Sequence, residues 1–184
     1  YQSFVEPPTV LRAQDGVTEV WAGSKPPIDP SDLVVERMHA VSTDGAEVGM
    51  FVVRCADAEL PGPVELYGYG GFTINLTPTY SPARLAFLEA GGIVVVANLR
   101  GGSEHGEPWH EQGSLGNKQQ VFDDLIACGE HLLAEGIATA ETLGIRGGSN
   151  GGLLTAATML QRPDLFGAVI SQVPVIDMLR FQHF

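Results

Sequence analysis

Along the first third of the chain, apolar and polar residues alternate in short runs broken by turn dipeptides. Val10-Leu11-Arg12 and Val17 to Trp21 flank Asp15-Gly16, which predicts a β-hairpin. Pro26-Pro27-Ile28-Asp29-Pro30 reads as a linker. Val34 to Val41 and Glu47 to Arg54 then form a second hairpin around Asp44-Gly45, with Val48, Met50 and Val52 on one face. From residue 64 the pattern changes. Val64 to Tyr69 predicts a strand ending in the loop Gly68-Tyr69-Gly70-Gly71-Phe72, and Ser81 to Ala90 a helix with Leu85 and Leu88 inward. Ile93 to Leu99 is an unbroken apolar run, the pattern of a strand covered on both faces in a parallel sheet. A polar loop follows Arg100-Gly101-Gly102. Next comes a helix from about Lys118 to Glu135, with Val121, Leu125, Ala127-Cys128 and Leu132 inward. A short strand through Leu143 and Ile145, a helix over Gly152 to Leu160 and a second buried strand, Ala168 to Val173, complete the pattern. Strands alternating with helices after an antiparallel opening give an α/β fold with a mostly parallel sheet flanked by helices. There is no internal repeat and no low-complexity tract.

The strand-to-helix junction Gly147-Gly148-Ser149-Asn150-Gly151-Gly152 holds G-x-S-x-G with a predicted strand before it and a predicted helix after it. A serine at such a bend stands above the sheet, on a backbone that only small neighbours tolerate. This is the pattern of a nucleophile elbow in a serine hydrolase. Two other glycine-loop chemistries fail. A phosphate-binding P-loop needs a lysine before its Ser or Thr, and none is near Ser149. The dinucleotide pattern G-x-G-x-x-G is broken by Ser149 when begun at Gly147 and by Thr73 when begun at Gly68.

Composition narrows the partners. The formal net charge of −12 opposes nucleic acid, whose phosphates need a basic face. No apolar run reaches the length of a membrane span. Cys55 and Cys128 fit neither a C-x-x-C nor a metal spacing, so free thiols are the expected state and a disulfide the alternative. No cofactor is expected.

A serine hydroxyl needs a histidine to take its proton and an acid to orient that histidine, in the chain order Ser, acid, His for this architecture. Beyond Ser149 the candidates are Asp164, which reads as a turn residue, Asp177, and a single histidine, His183. His183 follows too soon after the last strand to be a triad base, and Asp177 reads first as a helix N-cap. His39, His105, His110 and His131 precede the serine. The triad acid and base are therefore expected outside this chain, which is expected to begin inside a larger protein and to be inert alone. The oxyanion hole is better supplied: the N–H of Asn150 is one donor, and the loop Tyr69-Gly70-Gly71-Phe72 is placed to give the second.

The runs Leu66-Tyr67-Gly68-Tyr69-Gly70-Gly71-Phe72, Asn98-Leu99-Arg100-Gly101-Gly102, Trp109-His110, Phe122-Asp123-Asp124, Gly147 to Gly152 and Gln161-Arg162-Pro163-Asp164-Leu165-Phe166 occur in order. Together they resemble the prolyl oligopeptidase family of serine peptidases, from about residue 33 to the end. The resemblance implies an α/β-hydrolase domain, incomplete at the C-terminus, over residues 26–184, preceded in residues 1–25 by the end of the last β-propeller blade. It implies a serine endopeptidase cleaving short peptides after proline through an acyl-enzyme on Ser149. The Tyr69 hydroxyl and the Asn150 N–H would be the oxyanion donors, and Phe72 would line the substrate pocket. A cytoplasmic location is expected, with the periplasm the alternative, and the oligomeric state is open. Ser103 and His105 stand where relatives more often carry glycine and tyrosine. The related oligopeptidase B, which cuts after basic residues, usually has alanine where Asn150 stands, so the asparagine favours the proline-directed branch. An oligopeptidase B-like enzyme, an esterase-like hydrolase and an inactive fragment are the alternatives.

Overall fold

A computed structural model describes residues 1–183. The first hairpin, β1 (Thr9–Gln14) with β2 (Val17–Gly23), is a separate two-stranded sheet whose side chains are almost all exposed. The second hairpin, β3 (Leu33–Val41) with β4 (Glu47–Cys55), opens a six-stranded sheet. It continues with β5 (Val64–Tyr67), β6 (Ile93–Ala97), β7 (Leu143–Gly148) and β8 (Ala168–Gln172) in the spatial order β3-β4-β6-β5-β7-β8. The β3–β4 and β4–β6 pairings are antiparallel, and those from β6 through β5 and β7 to β8 are parallel. The mostly parallel α/β sheet expected from the sequence is therefore present.

The central strands read as uniformly apolar because two cores claim alternate residues. Ile93, Val95 and Ala97 of β6 join the larger core, with Leu66, Ile145 and Leu154, while Val94 and Val96 face a smaller one with Leu85, Leu88 and Phe4. All five β6 side chains are buried, each contributing roughly 1.5–3 kcal/mol for the larger aliphatics. Helix α1 (Pro82–Glu89) covers the smaller core, capped at its start by the Ser81 hydroxyl, which accepts from Arg84 N–H at 3.4 Å. Phe4, outside the first hairpin, packs edge-on against Phe51 of β4 with ring centres 5.3 Å apart. On the other face lie α3 (Lys118–Ala134), with Val121, Leu125, Cys128 and Leu132 buried, and α4 (Asn150–Gln161).

Three local expectations need correction. The polar loop after Gly102 contains a short helix, α2 (Glu107–Glu111), started by Gly106 and Pro108 and anchored by buried Trp109. Helix α4 starts at Asn150 rather than Gly152, directly after the serine. The strand expected over Ala168 to Val173 ends at Gln172; among the described residues β8 pairs with β7 alone and leaves Ala168, Ile170, Ser171 and Gln172 exposed. Its apolar run has α4 on one face, and no described helix covers the other. No helix of the described residues is long and apolar enough to cross a membrane.

Candidate functional site

Ser149 occupies the bend between β7 and α4 with φ +57° and ψ −114°, a backbone conformation costly for a residue with a side chain. It is exposed, and its hydroxyl makes no capping bond to α4. Close backbone packing makes this bend. A Cβ on Gly147 would lie 2.1 Å from Gly151 O, and one on Gly151 would lie 2.7 Å from Gly68 O. Hydrogen bonds complete the hold: Ser149 N–H donates to Gln172 O at 2.9 Å, and Val175 N–H donates to Ser149 O at 3.2 Å.

Asn150 opens α4, where first-turn amides have no partner inside the helix and the helix dipole favours negative charge. Its side chain is buried, and its Nδ2 donates to Tyr69 O at 2.6 Å. The Tyr69 ring lies against the elbow, its Cδ2 3.6 Å from where a Gly151 Cβ would stand. Sequence reasoning missed one further member. Lys118, the first residue of α3, donates from Nζ to Gly70 O at 2.7 Å and to Asn150 Oδ1 at 3.2 Å. Burial pushes its pKa down to about 8. The available signal was a lone lysine at a predicted helix start, the end where a cation is least favoured.

Beside Asn150 opens a cleft of about 670 Å³, with Gly71, Phe72 and Thr73 on one wall and Glu107, His110, Glu111 and Lys118 on the other. Phe72 and Thr73 both have positive φ, +55° and +57°, and Phe72, which lines the cleft, is 64% exposed. The loop is held by Thr73 N–H donating to Gly101 O at 3.1 Å and Ile74 N–H to Gly71 O at 3.1 Å. Gly101 O also accepts from His110 Nδ1 at 2.7 Å, which fixes that ring's tautomer because a carbonyl can only accept.

The Gly101 loop is set by Arg100, a guanidinium only 1% exposed. Its Nε donates to both oxygens of fully buried Asp124, at 3.2 and 3.0 Å, and its Nη2 to Ser42 Oγ at 3.1 Å. Asp44 and Gln120 accept from Nη1. Burial opposes the charge, but hydrogen bonds to Asp124 and then Asp44 more than reverse this and raise the Arg100 pKa.

The other candidate site residues lie elsewhere. Asp164 pairs with Arg162, the nearest Nη–O distance being 2.8 Å. Among the described residues Asp177 caps no α-helix: it accepts from Arg180 Nε at 2.7 Å, and a 3₁₀ turn, Phe181–His183, follows it. His183 is exposed beside Gln182. His105 stacks edge-on against Trp109, and His39 lies on β3, at the far edge of the sheet.

A family model described as the prolyl oligopeptidase family matches residues 78–184. The chain belongs to the prolyl oligopeptidase family. A prolyl endopeptidase of Elizabethkingia miricola is 38% identical over 188 residues, covering 100% of this chain and 27% of the relative. Among solved structures, one from a mechanistic study of two prolyl endopeptidases superposes with a TM-score of 0.95 at 43% identity, covering 100% of this chain and 28% of that one. Oligopeptidase B from Leishmania major superposes with a TM-score of 0.91 at 33% identity, covering 97% and 26%. The fold is thus that of an α/β-hydrolase in this family, and the chain spans about a quarter of the length of the relatives it matches.

Proposed function

We propose that Ser149 is the acylated nucleophile of a serine endopeptidase that cleaves short peptides on the carboxyl side of proline. The observation that carries this reading is an exposed serine at φ +57° over the parallel sheet, with Asn150 opening a helix behind it and Tyr69 packed against the elbow. In this reading the Ser149 oxygen attacks the prolyl carbonyl while a histidine takes its proton. The carbonyl oxygen, now an oxyanion, accepts from the Asn150 N–H and the Tyr69 hydroxyl. The amine then leaves with a proton returned by the histidine, and water resolves the ester. Each oxyanion donor is worth about 3–4 kcal/mol in a pre-organised site. Phe72 lines the cleft as an apolar surface for the proline ring, which has no N–H to satisfy. We assign the histidine and its acid to sequence outside residues 1–184.

The branch rests on Asn150 and on relatives named prolyl endopeptidase that are 38% and 43% identical to this chain. Cleavage after basic residues is the second reading, favoured by the carboxylates of Glu107 and Glu111 on the cleft wall. Residues 1–25 are assigned to the end of a β-propeller blade, an assignment supported by the separate, exposed two-stranded sheet. A cytoplasmic location agrees with two free cysteines.

The test is hydrolysis of chromogenic prolyl, arginyl and acyl-ester substrates by the full-length protein and its Ser149→Ala variant. Prolyl cleavage lost in the variant is the expected result. Retained cleavage, or turnover of the ester alone, overturns the reading.

A further inference from the structure

Lys118 breaks two local rules at once. It places a cation at the N-terminal end of α3, where the helix dipole opposes it, and it half-buries that cation without a carboxylate partner among the described residues. Both penalties are absent from an ordinary surface lysine, whose stem lies along the protein while its ammonium stays wet. Residues that violate local preference without an evident structural gain concentrate at functional sites.

The partners of the ammonium show what it does here. It donates to Gly70 O in the loop after β5 and to Asn150 Oδ1 at the head of α4, 2.7 and 3.2 Å away. The same Asn150 side chain donates from Nδ2 to Tyr69 O at 2.6 Å. One cation and one amide therefore tie three elements together: the Tyr69–Gly71 loop, the first residue of α4 and the start of α3. The amide orientation is also determined, since an ammonium can only donate and a carbonyl can only accept.

We infer that Lys118 is a positioning residue for the oxyanion hole, clamping the Tyr69 loop to Asn150 so that the tyrosine hydroxyl and the Asn150 N–H stay in register over Ser149. The inference rests on the reading of Ser149 as nucleophile and adds a residue that acts through the Tyr69 loop and Asn150. Its consequence is selective. Misplaced oxyanion donors weaken the transition state more than the bound substrate, because their interactions are made mainly once charge has moved onto the carbonyl oxygen.

The experiment compares Lys118→Met and Lys118→Arg with the parent in the full-length protein, using a prolyl chromogenic peptide, a peptidyl-prolinal aldehyde and amide hydrogen exchange. The aldehyde carbon bonds to Ser149 Oγ, and its oxygen becomes the hemiacetal oxygen that the two donors hold. For Lys118→Met, kcat should fall about 10- to 100-fold, somewhat less than for outright loss of a donor, with KM within about threefold. Aldehyde affinity should fall in step with kcat. Exchange over residues 69–72 should rise by about tenfold while that of β6 stays unchanged. Lys118→Arg, which keeps the cation on a bulkier head, should recover part of the loss. Three results overturn the inference: wild-type kcat in Lys118→Met, a kcat loss without loss of aldehyde affinity, or exchange rising evenly across the sheet, which marks general destabilisation. A Ser149→Ala variant that still turns over the peptide sinks the underlying reading and the inference with it; the three Lys118 results above leave that reading intact.

Discussion

On the elbow side of the cleft, Ser149 is fixed by backbone packed against backbone; on the side of the loop after β6, position is fixed by a buried charge. The elbow strand carries no charged side chain from Gly147 to Ser149, and its shape follows from Gly147 and Gly151 approaching Gly151 O and Gly68 O too closely for any Cβ. The Arg100 loop is held by a guanidinium 1% exposed with Asp124 0% exposed beneath it. The two devices differ in how they fail. A buried ion pair tolerates loss of both partners together but not of one, whereas steric closure tolerates no added atom.

The largest effect should come from splitting the charge. Arg100→Met leaves the Asp124 carboxylate buried and uncompensated, and we expect a loss of about 3–5 kcal/mol in urea unfolding. The double variant Arg100→Met with Asp124→Leu should recover most of it. If the double variant is as unstable as the single, the loop is held by packing and the contrast disappears.

Next comes Gly147→Ala. Its methyl must move backbone, since Gly151 O stands 2.1 Å from the new carbon, and we expect a loss of about 3 kcal/mol, at the upper end for overpacking, together with loss of peptidase activity. Gly148→Ala is the control within the same motif. Nothing lies closer than 3.9 Å to its Cβ position, and its φ is not positive, so stability should change by less than about 1 kcal/mol. Equal damage from the two alanines, read by thermal unfolding and prolyl hydrolysis, would refute the steric account.

The two regions also differ in what the sequence reveals. The elbow is legible because its constraint is local: glycines at fixed offsets from a serine, with a strand on one side and a helix on the other. The doubly covered β6 is legible for the same reason, as a continuous apolar run. The charge network is not, because Ser42, Asp44, Arg100, Gln120 and Asp124 come from three separated stretches, and nothing in their spacing joins them. Lys118 escaped notice likewise, its partners lying 48 and 32 residues away in sequence. The cover that β8 receives among the described residues follows a different rule. An apolar run states that a strand favours cover, and sheet order alone decides how much cover it receives.

The smallest expected effect sits at the rim of the same network and separates its exposed member from its buried one. Hydrogen bonding from Arg100 holds the Asp44 carboxyl below its ordinary value of 3.8, against an opposing effect of burial and with help from Ala46 N–H. A carboxyl depressed in the folded state contributes stability above its unfolded value, and that contribution drains away as pH falls through the folded one. Because the Asp44 side chain is 42% exposed, solvent screens the pair and the contribution should stay below about 1 kcal/mol. Asp44→Asn should therefore lower the melting temperature slightly at pH 7, and the difference from the parent should shrink toward zero as pH drops well below 3.8. A difference that persists unchanged in acid would mean that Asp44 acts through its shape and hydrogen bonds. The charge that orders this wall would then lie entirely in the buried Arg100–Asp124 pair.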